Sequence, residues 1–187
     1  MDETPEVIGD LIFDQACISN NNMIHELEQK GFGEIENGKL FLQSFETLYL
    51  LYTNKLLLKK NKKQIDFDSF MSICQKTNSE IFTKFLIFRD LKTRGYVVKD
   101  GFGFGSDFRV YERGDYGEKG AKFLIFGLNE GQQEKIGILQ NKIDEITQMG
   151  KEPIIAVIER RGEVIYYKIN KINFLENKAR LEDSFDF

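Results

Sequence analysis

The spacing of apolar positions changes along the chain between a helical and a strand period, and each change marks a predicted element. Residues 7–18 mix apolar and polar positions around a Gly-Asp pair, which predicts two short strands. A helix is predicted to follow, capped by Ser19 or Asn20 and running to residue 29, because Gly31 is placed to stop it. The chain therefore opens with strands and then a short amphipathic helix.

A hairpin is predicted next, because Asn37-Gly38 lies between two alternating runs and favours a type I′ turn. The spacing then predicts further elements over the rest of the chain. In order, they are a helix at 44–54, a strand with a basic turn at 55–63, a helix from Asp66 or Asp68 to about residue 75, a helix at 80–94 capped within 77–79, strands at 96–99, 106–113 and 121–128, a helix at about 136–149, and strands at 153–159 and 163–172.

This order of elements predicts an α+β protein with two small domains. Residues 1–77 are expected to form a domain of helices and antiparallel strands. Residues 78–174 are expected to form a second domain, a mixed sheet flanked by helices. A charged tail at 175–187 completes the chain.

Composition narrows the class of protein. Hydrophobic residues make up 41% of the chain, which is enough for a substantial core, and no apolar run is long enough to span a membrane. The acidic N-terminus does not resemble a signal peptide, and Cys17 and Cys74 are far apart, so we expect a cytoplasmic protein with two reduced thiols. We expect no metal and no cofactor. The net charge of −4 argues against RNA binding through bulk charge alone, so binding would need a local or partner-supplied patch.

One segment is the most informative. After an apolar helix, the chain carries three landmarks in order: RGYVVK at 94–99, GFGFGSDFRVY at 101–111 and KGAKFLI at 119–125. In this order they resemble the C-terminal domain of the archaeal tRNA-splicing endonucleases, or tRNA-intron lyases. The resemblance extends over nearly the whole chain; it is strongest at 85–128 and loosest before residue 80.

The resemblance implies a metal-independent way of cutting RNA. A ribose 2′-OH attacks the adjacent phosphate, which needs a base, an acid for the leaving 5′-oxygen and a cation for the developing charge. The family is thought to use Tyr, His and Lys in these roles. Carried over by position, the tyrosine is Tyr111 and the lysine is Lys151, whereas Gly120 stands where the family has histidine.

Other residues are poor substitutes for that histidine. His25, the only histidine, lies on the predicted N-terminal helix, and Lys119, Lys122 and Tyr116 do not ordinarily titrate near pH 7. Loss of a general acid typically lowers a rate by ~10²–10⁴. The resemblance therefore predicts an endonuclease scaffold without its proton donor.

Several side chains are candidates for contact with RNA. Arg89, Lys92 and Arg94 lie on one predicted helix near the candidate site and are the preferred set. The lysine cluster at 55–63 is either a phosphate contact or a solvated turn. Phe102 and Phe104 are either stacking residues or core. The family often has an acidic docking loop near 159–163, and this chain has Arg160 and Arg161 there.

The preferred hypothesis is a structural subunit of a tRNA-splicing endonuclease. Such an assembly cuts precursor tRNA at bulge-helix-bulge junctions and leaves 2′,3′-cyclic phosphate and 5′-hydroxyl ends. The expected partners are precursor tRNA and either a second endonuclease-like subunit, as in a heterotetramer, or further copies of this chain, with no membrane. Two alternatives stay open: an active subunit that uses Tyr111 and Lys151 with an acid from elsewhere, and a protein-interaction scaffold without RNA. An exposed edge strand at 163–172 predicts an oligomer.

Overall fold

The computed structural model describes residues 7–101, 106–131, 133 and 135–171. Within these ranges the chain forms helices and two separate mixed sheets, which confirms the predicted α+β class. The helices are α1 (Asn21–Gln29), α2 (Ser44–Tyr52), α3 (Phe67–Gln75), α4 (Ile81–Thr93) and α5 (Ile136–Gln148). The strands are β1 (Val7–Ile12), β2 (Gln15–Ile18), β3 (Glu34–Glu36), β4 (Lys39–Leu42), β5 (Leu56–Lys60), β6 (Lys63–Ile65), β7 (Val97–Asp100), β8 (Phe108–Tyr111), β9 (Phe123–Asn129), β10 (Glu152–Ile158) and β11 (Val164–Lys168).

The N-terminal sheet has the order β3-β4-β2-β1-β5-β6. Neighbouring strands run antiparallel except β1 and β5, which run parallel with Asp10 opposite Lys59. This parallel pair is the one exception, among the described strands of this sheet, to the expected antiparallel arrangement. The reason is the connection between them, since β1 and β5 are joined by a long crossover that contains α1 and α2 rather than by a hairpin.

Two hairpins of this sheet show what the sequence pattern detects. Asn37 and Gly38 both have positive φ, as a type I′ turn requires, so the predicted hairpin is confirmed. The segment predicted as a basic turn after β5 contains a further strand, β6, which pairs back onto β5. The pattern missed β6 because Lys63 and Gln64 are exposed and only Ile65 packs against the core.

The C-terminal sheet has the order β11-β10-β9-β8-β7. Strands β9 and β10 run parallel and the other neighbours antiparallel, which confirms the predicted mixed sheet. One face packs on α4 and the other on α5, because alternate residues of β9 and β10 belong to two different apolar clusters. Strand β11 ends at Lys168, four residues before the predicted end at 172.

Helix α4 lies unusually close to the sheet at Gly127 of β9. A Cβ atom at this position would lie 2.6 Å from Ile87 Cδ1 and 3.2 Å from Thr83 Cγ2, so any larger residue would require these side chains of α4 to shift. The backbone N–H of Gly127 donates to Asp107 Oδ2 at 2.7 Å, which joins β9 to the start of β8. The N-terminus of α4 falls at Glu80, whose backbone N–H donates to the Asn78 side chain, one residue after the predicted capping segment.

The two halves of the chain share one core. The Phe45 ring of α2 lies 5.0 Å from the Phe88 ring of α4 and 5.1 Å, edge to face, from the Phe108 ring of β8. All three side chains are buried within a single cluster that includes residues from both sheets. Because aromatic pairs in such geometry contribute about 0.5–1.5 kcal/mol beyond burial, these contacts fix one half against the other. The domain boundary at residue 77 stays a prediction.

A buried carboxylate lies where the halves meet. Glu46 of α2 is 1% exposed and accepts hydrogen bonds from the backbone N–H groups of Gln43, at 2.8 Å, and Gly33, at 3.0 Å. Lys92 of α4 and Lys99 of β7 donate to the carbonyls of Lys30 and Gly33, at 3.0 and 2.6 Å. The carboxylate and both lysines therefore hold the loop after α1 from opposite sides.

Burial raises the pKa of Glu46 to about 7, although the two N–H donors and the lysines favour its ionised form. Between the ordinary pKa of 4.5 and 7, the folded chain binds a proton at Glu46 that the unfolded chain does not. The contribution of this residue to stability is therefore present below pH 4.5 and is lost as pH rises through 7.

We expect Glu46→Gln to remove this pH dependence. Between pH 4.5 and pH 7 the free energy of unfolding of the wild type should fall, relative to that of Glu46→Gln, by on the order of 3 kcal/mol. Urea denaturation of both proteins across this range measures the difference. Curves that run parallel over the whole range would contradict the burial of an ionisable Glu46.

Two predictions lie outside the described residues: the roles of Phe102 and Phe104 and the charged tail at 175–187. Among the residues that are described, no helix is long and apolar enough to cross a membrane. Cys17 and Cys74 are both buried and free, as predicted.

Candidate functional site

Tyr111 is the last residue of β8. The strand alternates, with Phe108 and Val110 buried against α4, so Tyr111 belongs to the opposite face of the sheet. Its ring meets the ring of Tyr116 edge to face, with centroids 5.2 Å apart. Tyr116 lies in the loop 112–122 between β8 and β9, so this loop folds back over Tyr111.

The loop 112–122 is held by short-range bonds. The backbone N–H groups of Glu118 and Lys119 both donate to the Asp115 carbonyl, and Lys119 Nζ lies 2.8 Å from Asp115 Oδ1. Outside the loop, Lys99 Nζ lies 5.7 Å from the centre of the Tyr116 ring. Since Lys99 also donates to Gly33, it connects the loop to the N-terminal half.

Lys151 is positioned by the end of α5. Its backbone N–H donates to the Ile146 carbonyl, and the N–H of Gly150 donates to the Thr147 carbonyl. Gly150 has a φ of +68°, so the helix ends in a Schellman motif. This motif turns the chain directly into β10, with Lys151 at the junction.

Gly120 and Lys151 face the same space. A Cβ atom built on Gly120 would lie 2.9 Å from Lys151 Nζ, and apart from the adjoining residues 119 and 121 no other described residue has an atom within 4 Å of it. The ammonium group therefore occupies the position that a side chain at residue 120 would need. Within the described part of the chain Lys151 has no ion-pair partner, whereas neighbouring Lys122 pairs with Glu112 at 2.7 Å.

Strand register relates Tyr111 to this pair. Val110 stands opposite Phe123, and Phe123 stands beside Glu152. One residue further along, Lys122 lies between Tyr111 and Lys151, and its backbone bonds to both flanking strands. With neighbouring strands about 4.8 Å apart, the Cα atoms of Tyr111 and Lys151 lie roughly 10 Å from each other. The structure thus brings the three predicted site residues to one end of the sheet; their catalytic roles stay a prediction.

The three predicted RNA contacts do not share a surface. The Arg89 guanidinium lies over the rings of Tyr52 and Phe85, at 5.5 and 5.7 Å. Lys92 Nζ lies 4.1 Å from the centre of the Phe32 ring, and burial lowers its pKa to about 8. Both side chains contact the N-terminal half.

Arg94 lies on another side of α4. It pairs with Asp90 at 2.7 Å, and its guanidinium lies 5.7 Å from the Tyr166 ring. It also borders an open cleft with Tyr96, Glu112 and Arg113. Glu112 follows Tyr111 directly, so Arg94 is the one member of the predicted set that this cleft brings toward the candidate site.

Neither a histidine nor a metal cluster is found at this place in the described structure. His25 is exposed on α1, with its ring 2.9 Å from the Gln29 amide. Among the described residues there is no group of three or more His, Cys, Asp or Glu side chains that could hold a metal ion. The groups gathered at the candidate site are the phenols of Tyr111 and Tyr116, the Lys151 ammonium, the Lys122–Glu112 ion pair and a backbone position without a side chain.

Comparison with known proteins gives the family. Residues 7–71 match the model of the N-terminal domain of tRNA intron endonuclease, and residues 81–166 match that of its catalytic C-terminal domain. The chain belongs to the tRNA intron endonuclease family. The resemblance carried by the three landmarks is therefore confirmed, and both halves of the chain are covered.

Individual members of the tRNA intron endonuclease family are similar over most of their length. A tRNA-splicing endonuclease from Thermococcus onnurineus is 31% identical over 162 residues, which is 86% of this chain and 94% of that protein. A tRNA-splicing endonuclease from Methanococcus maripaludis is 31% identical over 83% of this chain and 89% of its own length. One from Pyrococcus furiosus is 27% identical over 86% of this chain and 94% of that protein.

Sequence reasoning missed Lys99 as part of this region. It lies inside the landmark RGYVVK, but its partners, Gly33 and Tyr116, are 66 and 17 positions away. A local pattern holds no signal for such contacts. Tyr116 was visible only as a neighbour of Gly120, and its stacking on Tyr111 depends on how the loop folds back.

We expect Gly120→Ala to change stability little, by less than about 1 kcal/mol, because the new methyl group meets only the flexible end of Lys151. Gly127→Ala is the matched control and should cost about 1–3 kcal/mol, since its methyl group meets packed side chains of α4. Urea denaturation of both variants provides the comparison. Equal destabilisation by the two changes would show that the space at Gly120 is closed by more than Lys151.

Proposed function

We propose that this chain is a structural subunit of a tRNA-splicing endonuclease, which cuts precursor tRNA at bulge-helix-bulge junctions. The assembly leaves 2′,3′-cyclic phosphate and 5′-hydroxyl ends. One observation carries the structural role: Lys151 Nζ occupies the space beside Gly120, where the resemblance expects a histidine. Membership of the tRNA intron endonuclease family supports precursor tRNA as the substrate. The geometry at Gly120 supports the loss of the proton donor in this chain.

The reaction explains why this one position matters. Attack of the 2′-oxygen on phosphorus forms the cyclic phosphate and breaks the bond to the 5′-oxygen, which must take up a proton as it leaves. In this scheme Tyr111 assists removal of the 2′-OH proton, and Lys151 stabilises the negative charge that builds on the phosphate. For the third task, proton donation, the described residues provide no group with an ordinary pKa near 7 beside Gly120.

The alternative of an active subunit rests on a different observation. Lys151 has no carboxylate partner among the described residues, and Tyr111 keeps its place at the end of β8. Tyr111 and Lys151 could thus serve as base and cation in the cleavage if another chain supplies the acid. A partner residue inserted beside Gly120 would have to displace the lysine ammonium.

We expect the purified chain to cleave a bulge-helix-bulge RNA very slowly or not at all, and Gly120→His to introduce measurable cleavage. The new imidazole, with a pKa near 6.5, would supply the missing acid once Lys151 moves aside. Adding Lys151→Ala to Gly120→His should abolish the gain. Single-turnover cleavage of a radiolabelled precursor, with identification of the cyclic phosphate end, gives the measurement.

A matched control for this experiment is Gly137→His. Gly137 also has open space around it, but it lies at the start of α5, away from Lys151. It should gain no activity. Strong cleavage by the wild type that survives both Tyr111→Phe and Lys151→Ala would overturn the structural role together with the assigned site.

We further expect the chain to be an oligomer. Strand β11 is an edge of the C-terminal sheet, and Ile165 and Tyr167 on it are 37% and 50% exposed. Pairing this edge with another subunit would satisfy its backbone groups and cover both side chains. The partner is a second copy or a related endonuclease chain.

Sedimentation velocity at micromolar concentration tests the oligomer. Ile165→Lys together with Tyr167→Lys should shift the chain to monomers, because two like charges would face each other across the interface. Ile136→Lys on α5, where Ile136 is 82% exposed, is the control and should leave the assembly intact. A wild-type monomer would count against the proposed assembly of this chain with itself.

A further inference from the structure

Two hairpins leave the same end of the N-terminal sheet. Strands β1 and β5 are parallel neighbours with Asp10 opposite Lys59, and each turns back shortly after this pair. The first hairpin turns at Phe13 and Asp14, and the second turns at Asn61 and Lys62. Since neighbouring strands lie about 4.8 Å apart, the two turns project side by side from the sheet.

The first turn carries an unusual aromatic residue. Phe13 is 90% exposed, and its φ is +56°. An L residue with a bulky side chain is disfavoured in this left-handed region, where glycine, asparagine and aspartate are usual. Neither packing nor backbone preference accounts for phenylalanine here, and an outlier of this kind points to a functional constraint.

The second turn concentrates positive charge. It carries four lysines within five positions, of which only Lys59 is half-buried, although the whole chain has a net charge of −4. Lys62 has a φ of +67°, again a position that favours glycine. Among the described residues none of the four lysines forms an ion pair within 4.0 Å. The four are Lys59, Lys60, Lys62 and Lys63.

The first hairpin contains two acidic residues, Asp10 and Asp14, that could pair with these lysines. Asp10 stands opposite Lys59 in the register, on the outer face of the sheet. The Asp14 carboxylate accepts from the Ser44 hydroxyl at 3.3 Å, which directs it toward α2. The lysines beyond Lys59 thus face solvent beside an exposed aromatic ring.

We propose that Phe13 and the four lysines form a second RNA-binding surface, the hairpin-tip surface, which takes single-stranded RNA. A base stacks on the Phe13 ring, and the adjoining phosphates contact the lysines. Aromatic stacking with a cationic track for the backbone is the general way in which proteins hold single strands without reading sequence. The ligand class rests on the proposed function, whereas the site itself rests on the two turns.

The hairpin-tip surface is separate from Tyr111 and Lys151. These residues lie at the end of the C-terminal sheet, whereas both turns belong to the N-terminal sheet. A structural subunit would in this way hold a single-stranded part of its substrate without taking part in the cleavage. The surface accounts for local basic charge on a chain that is acidic as a whole.

The positive φ of Phe13 allows its contribution to binding to be separated from its effect on stability. Phe13→Gly relieves the left-handed conformation, so the variant should melt at the same or a higher temperature than the wild type. Its affinity for a fluorescent oligouridylate, measured by anisotropy on the full chain, should nevertheless fall about tenfold. The affinity for RNA should therefore fall while the melting temperature rises or stays the same.

A paired charge experiment tests the lysines. Lys60→Gln together with Lys63→Gln should lower the slope of log affinity against log salt by about 1.4, as expected for two lost phosphate contacts. Lys39→Gln together with Lys76→Gln removes the same charge from exposed positions elsewhere and should leave the slope unchanged. Equal effects of the two pairs would overturn the proposal in favour of general charge.

Further measurements distinguish the possible ligands, and they distinguish failure of the hairpin-tip surface from failure of the proposed function. Phe13→Gly should lower the affinity by the same factor in the wild type and in Tyr111→Phe, Lys151→Ala, because the surface does not depend on the candidate site. RNA binding that is insensitive to Phe13→Gly overturns the hairpin-tip surface alone, and failure of the full chain and its assembly to bind RNA overturns the proposed function as well. Phe13-dependent binding to phosphatidylserine vesicles or to polyglutamate, without binding to the oligouridylate, would assign the surface to a membrane or an acidic protein instead.

Discussion

The contact of Phe88 with Phe45 and Phe108 is the interaction on which the arrangement of this molecule depends. It places α4 between the two halves, with one half reached through α2 and the other through β8. The same helix lies against β9 at Gly127, where an added methyl group would meet the Ile87 and Thr83 side chains. The position of the C-terminal sheet relative to the N-terminal sheet is therefore fixed by packing through one helix rather than by a linker.

Polar contacts also join the two halves of the chain. Glu46, Lys92 and Lys99 hold the loop after α1 from both halves, and Lys99 continues to the Tyr116 ring. Tyr116 in turn covers Tyr111 at the candidate site. The candidate site thus shares its supports with the junction between the halves, although the residues proposed for chemistry all come from the C-terminal half. A lysine ammonium lies beside Gly120, where a side chain at this position would otherwise extend.

Much of the fold could be predicted from local sequence. Asn37-Gly38 fixed a hairpin and Asn20 a helix start, because the geometry of each depends on those residues alone. The convergence of Tyr111, Gly120 and Lys151 was implied by the resemblance to the endonuclease family, and local patterning alone does not predict it. The parallel pairing of β1 with β5, the burial of Glu46 and the link through Lys99 depend on contacts between distant segments, for which a local pattern has no signal. No local pattern marks Phe13, because its exposure and its positive φ are properties of the folded turn.

The central claim is that this chain supports an endonuclease without performing its chemistry. The most direct test is to co-express it with the second endonuclease-like subunit that this proposal requires, purify the complex and measure single-turnover cleavage of a bulge-helix-bulge RNA. The complex is compared with one that carries Tyr111→Phe and Lys151→Ala in this chain only. The account predicts equal cleavage rates for the two complexes. A fall of ~10²-fold or more, the size expected when a catalytic group is lost, would contradict it.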